Sequence, residues 1–268
     1  MFEFLSLKFW GENNMLVVDH VTKKYGKSIA CNDVSFTLDS GSLTVLLGPN
    51  GAGKSTIIKS IIGFLKYSGS ITVNGFPNKS SDARRVMGYI PEIPSLYPTL
   101  TVSEHMEFIA RAYKMTDYKG RIDELLERFE LSDKRKKFGD ELSKGMQQKL
   151  NLCIGLLPDP DIILLDEPLL GLDPHAIKEL KKLIEEMRQA GKTMLVSTHI
   201  IDSVDMLWDQ AIIMQGGTVK ADITKSEIEG RNISLEDLFF EVTEGIDRED
   251  VSETSAGDKS EAAKEEGI

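Results

Sequence analysis

Short apolar, β-branched runs at residues 16–18, 34–38 and 43–47 alternate with turn-prone stretches at 25–28 and 39–42, the rhythm of β-strands joined by tight connections. The third run passes into the glycine-rich residues 48–53 and then into an amphipathic segment at 54–65, which predicts strand, turn and helix in that order. Further strands are expected at 71–73 and 86–90, after which Pro91, Pro94 and Pro98 punctuate a loop. Helical spacing returns at 103–113 and 121–129, with Val102, Met106 and Ile109 on one face and Ile122, Leu125, Leu126 and Phe129 on another. A helix past Gly145 to about Leu157 then leads to an apolar strand at 162–165, a helix from about Pro174, a strand at 193–197 and short strands at 211–214 and 218–220.

Strands that alternate with helices, the central ones apolar throughout, imply an α/β fold with a parallel sheet covered on both faces. The stretch from about 92 to 157 is expected as a helical insertion within one main domain spanning 16–243. No internal repeat is present.

Composition narrows the class. At 41% hydrophobic and 28% charged residues over 268 positions, the chain has the makeup of a globular protein able to bury a substantial core. A formal net charge of −11 argues against a nucleic-acid partner, which would demand a dense positive face. Part of that charge is local: nine carboxylates stand against three basic side chains between Glu244 and Ile268, so residues 244–268 are expected to form a disordered acidic tail. Cys31 and Cys153 lack metal-ligand spacing and read as small buried hydrophobes in a reducing compartment. No apolar run is long enough to cross a bilayer. The leader at 1–15 is apolar at Phe2, Phe4, Leu5, Leu7, Phe9 and Trp10, but carries Glu3 and no small-residue cleavage site. An upstream start ahead of Met15, a docking segment and a weak interfacial anchor are its readings, in that order.

Chemistry enters at Gly48-Pro49-Asn50-Gly51-Ala52-Gly53-Lys54-Ser55, a match to G-x-x-x-x-G-K-[ST] placed between an apolar strand and a helix. Such a P-loop wraps backbone N–H groups around phosphates, and the helix after it adds its positive dipole end. Asn50, Gly51 and Gly53 belong to that cradle; Lys54 would bridge the outer phosphates, Ser55 would ligate Mg²⁺, and Thr56 is placed to reach a nearer phosphate. ATP and Mg²⁺ are therefore the expected ligands. After the apolar strand at 162–165 come Asp166, Glu167 and Pro168. Carboxylates at a strand's carboxyl end lie where α/β sheets bind ligands, so Asp166 is expected to hold Mg²⁺ through water and Glu167 to polarise the attacking water.

Between these elements, Leu142-Ser143-Lys144-Gly145-Met146-Gln147 resembles the LSGGQ signature of ATP-binding-cassette (ABC) ATPases. The order of motifs is similar to that family over nearly the whole stretch from 16 to 220. The resemblance implies a P-loop ATPase core with a parallel sheet, an N-terminal antiparallel β subdomain and a helical insertion subdomain. It also implies roles: Tyr25 stacking on adenine, Leu172-Asp173 as the D-loop, and His199 as the switch histidine at the γ-phosphate. It further implies a head-to-tail pair with a second ABC ATPase subunit, a homodimer in the simplest case. Each ATP would then be shared between one subunit's P-loop and the Ser143 and Gly145 of the other.

Three positions depart from the family pattern. Glu92 stands where the Q-loop glutamine is expected; it can still ligate Mg²⁺, but adds negative charge beside the triphosphate and donates no hydrogen bond when ionised. Lys144 and Met146 replace a glycine and the glutamine of the signature. The same Pro-Glu and Ser-Lys-Gly-Met patterns make the chain similar to exporter-type ATPases of the Ecs-like group. The expectation is thus an ATPase, peripheral on the cytoplasmic face of the membrane, that powers export through a separate transmembrane permease subunit docked around residues 92–113, with Leu96, Tyr97 and Leu100 foremost. Two alternatives stay open at this point: a non-transport regulator of the same family, and a weakly hydrolysing member of an asymmetric pair.

Overall fold

In the computed structural model the described residues are 14–200, 208–231 and 233–245. The remainder of the expected leader (1–13) and of the expected tail (246–268) lies outside them. The chain runs through β1 (Asn14–Tyr25), β2 (Ser28–Asp39), β3 (Leu43–Leu47), α1 (Lys54–Ile61), β4 (Ser68–Val73), β5 (Phe76–Pro77), α2 (Ser81–Val86) and β6 (Met87–Ile90). It continues with α3 (Val102–Ala112), α4 (Lys119–Arg128), α5 (Lys144–Leu156), β7 (Ile162–Asp166), α6 (Pro174–Gln189) and β8 (Thr193–Thr198). Last come β9 (Gln210–Gln215), β10 (Thr218–Thr224), α7 (Lys225–Arg231) and α8 (Leu235–Glu244).

Two sheets result. An antiparallel one orders its strands β2-β1-β4-β5, and a six-stranded one orders them β10-β9-β3-β8-β7-β6. In the second sheet β3 pairs in parallel with both β8 and β9, and β7 pairs in parallel with both β8 and β6. Only β10, joined to β9 through the left-handed Gly216 and Gly217, turns back antiparallel. All five residues of β3 and all five of β7 are buried, as strands with covered faces must be.

Alternation along β3 divides the core. Leu46 joins Leu16, Val18, Ile57 and Ile61 beneath the antiparallel sheet and α1, whereas Val45 and Leu47 meet Trp208, Ile213 and Leu238 on the opposite face. A third cluster, with Met106, Leu125, Phe129 and Leu150, ties α3, α4 and α5 to the strand ends. Each such fully buried side chain contributes about 1.5–3 kcal/mol relative to exposure, and polar ties such as Asn151 Nδ2 donating to the Pro91 carbonyl at 2.9 Å add to this packing.

The structure moves several boundaries. The helix expected to reach Leu65 stops at Ile61, because Gly63 adopts a left-handed φ of 85°. Val86, expected in a strand, closes α2, whose start is capped by Ser80 Oγ accepting the Ala83 N–H. The tight turn after Tyr25 is narrower than expected, since Tyr25 and Ser28 already pair. At the far end α7 and α8 lie beyond the last expected strand; Glu244, expected to open the tail, closes α8 ahead of the left-handed Gly245.

Candidate active site

The strand order β9-β3-β8-β7 brings three carboxyl ends side by side, and each delivers part of one site. From β3 comes the P-loop. Two of its glycines are dictated by contact as well as by dihedral: a Cβ on Gly48 would lie 2.3 Å from the Met214 carbonyl oxygen, and one on Gly53 would lie 2.6 Å from that of Ala30, at φ 105°. Cys31 fills space under the same turn, its Sγ 3.7 Å from the Gly53 oxygen. Burial pushes that thiol up to about 11, as suits an inert packing residue.

Lys54, the first residue of α1, folds back so that its Nζ donates to the Gly48 carbonyl at 2.6 Å and stands 3.5 Å from Glu167 Oε1. Ser55 Oγ donates to Asp166 Oδ1 at 3.0 Å, and Ser197 Oγ donates to the same oxygen at 2.7 Å. Asp166 ends β7 and lies opposite Ser197 of β8. One residue on, Glu167 takes a left-handed φ of 47°, a conformation that costs an L-residue about 1–2 kcal/mol. It is held there by its own N–H, which donates to both the carbonyl and the hydroxyl of Ser197. His199, just past β8, donates Nδ1–H to Glu167 Oε1 at 2.9 Å.

Asn50, Gly51, Gly53, Lys54, Ser55, Thr56, Glu92, Glu167 and His199 line one open cavity of about 430 Å³. Within a single chain the structure does not bring every predicted residue there. Tyr25 sits at the exposed end of β1, with Lys23 Nζ 4.7 Å from its ring centroid. Ser143 is the exposed N-cap of α5, its Oγ accepting the Met146 N–H. Gly145 packs against the segment after Glu167, where a Cβ in its place would lie 3.2 Å from the Gly171 carbonyl oxygen.

Sequence reasoning overlooked three participants. Ser197 positions both acidic residues, and only strand register places it opposite Asp166. Tyr89, on β6, has a buried hydroxyl with no partner among the described residues. Burial first, then the fields of Asp166 and Glu92, raises that phenol above its ordinary range. Lys149, on α5, bridges Glu130 at 2.9 Å and the D-loop Asp173 at 2.8 Å. Its burial lowers the ammonium's pKa, but the two hydrogen bonds outweigh this and leave it raised.

A P-loop at the end of a central parallel strand, with an acidic pair and a histidine at the neighbouring strand ends, is the site of a nucleoside triphosphatase. Residues 31–170 match the family model described as ABC transporter. Over 239 residues the chain is 38% identical to the ABC-type transporter ATP-binding protein EcsA of Bacillus subtilis (strain 168), covering 86% of this chain and 97% of that one. It is 37% identical over 205 residues to the Nod factor export ATP-binding protein I of Rhizobium meliloti (strain 1021), covering 75% of this chain and 61% of that one. Among solved structures, an ATP-binding subunit of an ABC transporter superposes with a TM-score of 0.80 at 37% identity, over 85% of this chain and 99% of that one. A dimeric post-hydrolysis state of the ATP-binding cassette MJ0796, bound to ADP and Pi, gives 0.71 at 27% identity, over 78% and 98%. The chain belongs to the ABC transporter family, as an ATP-binding and ATP-hydrolysing subunit.

Proposed function

We propose that two copies of this chain pair head to tail and drive export through a separate membrane-spanning partner, with the chain peripheral on the cytoplasmic face of the membrane. The observation that carries this reading is the division of the site: the P-loop, Glu92, Glu167 and His199 share a cavity, while Ser143 and Gly145 lie outside it. Ser143 caps an outward-facing helix N-terminus, whose N–H groups and hydroxyl suit a phosphate brought by another subunit. The dimer of the MJ0796 cassette supports such pairing, and the export named for the Nod factor relative supports the direction.

Within each half, Lys54 and the P-loop amides bind the phosphates, Thr56 reaches the nearer ones, and Tyr25 stacks on adenine. Glu167 accepts a proton from the attacking water and His199 contacts the γ-phosphate. The donors around Ser55, Asp166 and Glu92 are all hard oxygens, which fits Mg²⁺. Among the described residues no group of three or more His, Cys, Asp or Glu side chains forms a cage of its own, so the ion would share its shell with phosphate and water oxygens. When bound it neutralises charge on the outer phosphates.

No helix among the described residues is long and apolar enough to cross a membrane, which is why a partner is invoked. A cavity of about 530 Å³ lined by Phe64, Arg84, Tyr89, Ile109 and Tyr113 opens between the sheet and α3, with Ile93 and Tyr97 exposed on the adjoining loop. Leu96 packs into the helical core, so the docking surface centres on these aromatics in its place. Sedimentation of the Glu167→Gln chain with Mg-ATP tests the pairing: a dimer is expected, and it should be lost when Ser143→Ala is added. A monomer under saturating Mg-ATP would overturn the head-to-tail reading.

A further inference from the structure

His105 lies on α3 behind the loop that carries Tyr97, and is only 3% exposed. Both ring nitrogens are bonded. Nε2 meets the Tyr97 backbone N–H at 2.9 Å, and Nδ1 meets the Thr101 carbonyl oxygen at 2.8 Å. A backbone N–H only donates and a carbonyl only accepts, so Nε2 must present its lone pair and Nδ1 its proton. One neutral tautomer satisfies both bonds. An imidazolium, with a proton on each nitrogen, would set an N–H against the Tyr97 N–H.

The loop depends on this bond. Among the described residues, the Tyr97 N–H is the one backbone donor between residues 92 and 99 that finds an acceptor within the chain. A Cβ on Gly139 would lie 2.6 Å from the Tyr97 carbonyl oxygen and 3.4 Å from His105 Cε1, so ring, loop and residue 139 pack with no slack. Tyr97 in turn sets its ring edge-on to Phe108, centroids 5.7 Å apart, and both rings are about half exposed.

The charged groups nearby bond elsewhere than to the ring, and Glu104 is coupled to it only through space. On α3 the Glu104 carboxylate is engaged by the Thr101 N–H and hydroxyl, at 2.7 and 2.8 Å. On the segment holding Gly139, Glu141 accepts the Phe138 N–H at 2.8 Å, and Lys137 and Asp140 are exposed. None of them bonds the imidazole.

We propose that His105 is a positioning residue: its neutral imidazole latches the loop that presents Tyr97 and Phe108 to the membrane partner, and protonation of the ring releases that loop. The latch rests on the geometry above; only what the loop meets rests on the docking surface already proposed.

Amide hydrogen exchange of the full chain, followed by NMR at Tyr97 and corrected for intrinsic rates, tests it. In a titration from about pH 8 down to about pH 5 the Tyr97 protection factor should fall about tenfold, the size of one net hydrogen bond. His105→Gln, whose amide accepts and donates without titrating, should keep protection and remove the pH step. His105→Phe should lose protection at every pH. A pH-independent protection factor in the wild-type chain, or an unaltered pH step in His105→Gln, overturns the latch, and both measurements stand even if the Phe variant does not fold. Tyr97→Ala separates the two readings: retained co-purification with the membrane partner in mild detergent would remove Tyr97 from the docking surface, with the exchange result unaffected.

Discussion

The Lys54 ammonium stands 3.5 Å from the Glu167 carboxylate, with both side chains almost fully enclosed, at 6% and 7% exposure. The ammonium proposed to bind phosphate and the carboxylate proposed as the base thus compensate each other in the cavity, and His199 adds a donor to the same Glu167 oxygen. A triphosphate entering the P-loop competes for Lys54. On the proposed reading, binding would free Glu167 from its cation and make its carboxylate available to a water, linking occupancy of the loop to the base.

Removing the cation should be felt twice. Lys54→Ala is expected to lower ATP affinity by at least a hundredfold, measured by calorimetry, because the charge-assisted contacts to the outer phosphates vanish. It should also lower stability by about 3 kcal/mol in denaturant titration, since Glu167 is left buried with His199 alone. Retained ATP binding would remove Lys54 from the phosphate assignment.

Glu167→Gln preserves shape and the His199 contact but cannot take a proton. Turnover should fall by about 10²–10⁴-fold in a steady-state phosphate-release assay, while ATP still binds. An unchanged rate would exclude Glu167 as the base.

Glu92 faces the same cavity as Glu167 and adds a further negative charge there. Glu92→Gln should weaken the apparent Mg²⁺ affinity of ATP hydrolysis by about threefold to tenfold, roughly 1 kcal/mol of lost charge attraction. A titration of rate against Mg²⁺ that superposes on the wild-type curve would remove Glu92 from the metal site.

The Lys149 clamp has an acid-side signature. The hydrogen bond from Lys149, then the Ala176 N–H, holds the Asp173 carboxyl below its usual range. A depressed folded-state pKa contributes stability that is present above the unfolded value, about 3.9, and disappears as pH falls through the folded one. Asp173→Asn keeps the cap on α6 but loses the charge, so it should cost about 1 kcal/mol at pH 7, a modest figure because Asp173 is half exposed. The gap in Tm between variant and wild type should close below about pH 4. A gap that persists unchanged into acid would assign the loss to packing and not to the ion pair.

Much of this molecule is written in local pattern. Glycine spacing before Lys54, apolar runs ending at Leu47 and Leu165, and the Ser143-Lys144-Gly145 start of a helix are each readable because the required dihedrals, burial or capping act within a few neighbouring residues. The C-terminal helices escaped because α7 and α8 are short, charged and stabilised chiefly by a few contacts such as Ile228 and Leu238 against Trp208 and Ile213. Lys149 and His105 escaped for the converse reason. Nothing in a helical stripe distinguishes a buried lysine bonded to two carboxylates, or a histidine bonded to a loop eight residues away, from an ordinary surface residue.

By itself the sequence determined most of the strands and helices, missing the short β5, α2, α7 and α8, and it placed the glycine-rich turn after β3 and the acidic pair after β7, since these depend on short-range sterics and the period of burial. Tertiary structure alone decided that β8 lies between those strands, so that Ser197 aligns Asp166 with Ser55 and fastens Glu167 in its left-handed conformation. It also decided that Ser143 and Gly145 stand away from the P-loop of their own chain. Strand order and register are set by packing between residues from about thirty positions apart, as in β7 and β8, to about 150, as in β3 and β8, information that no local window contains.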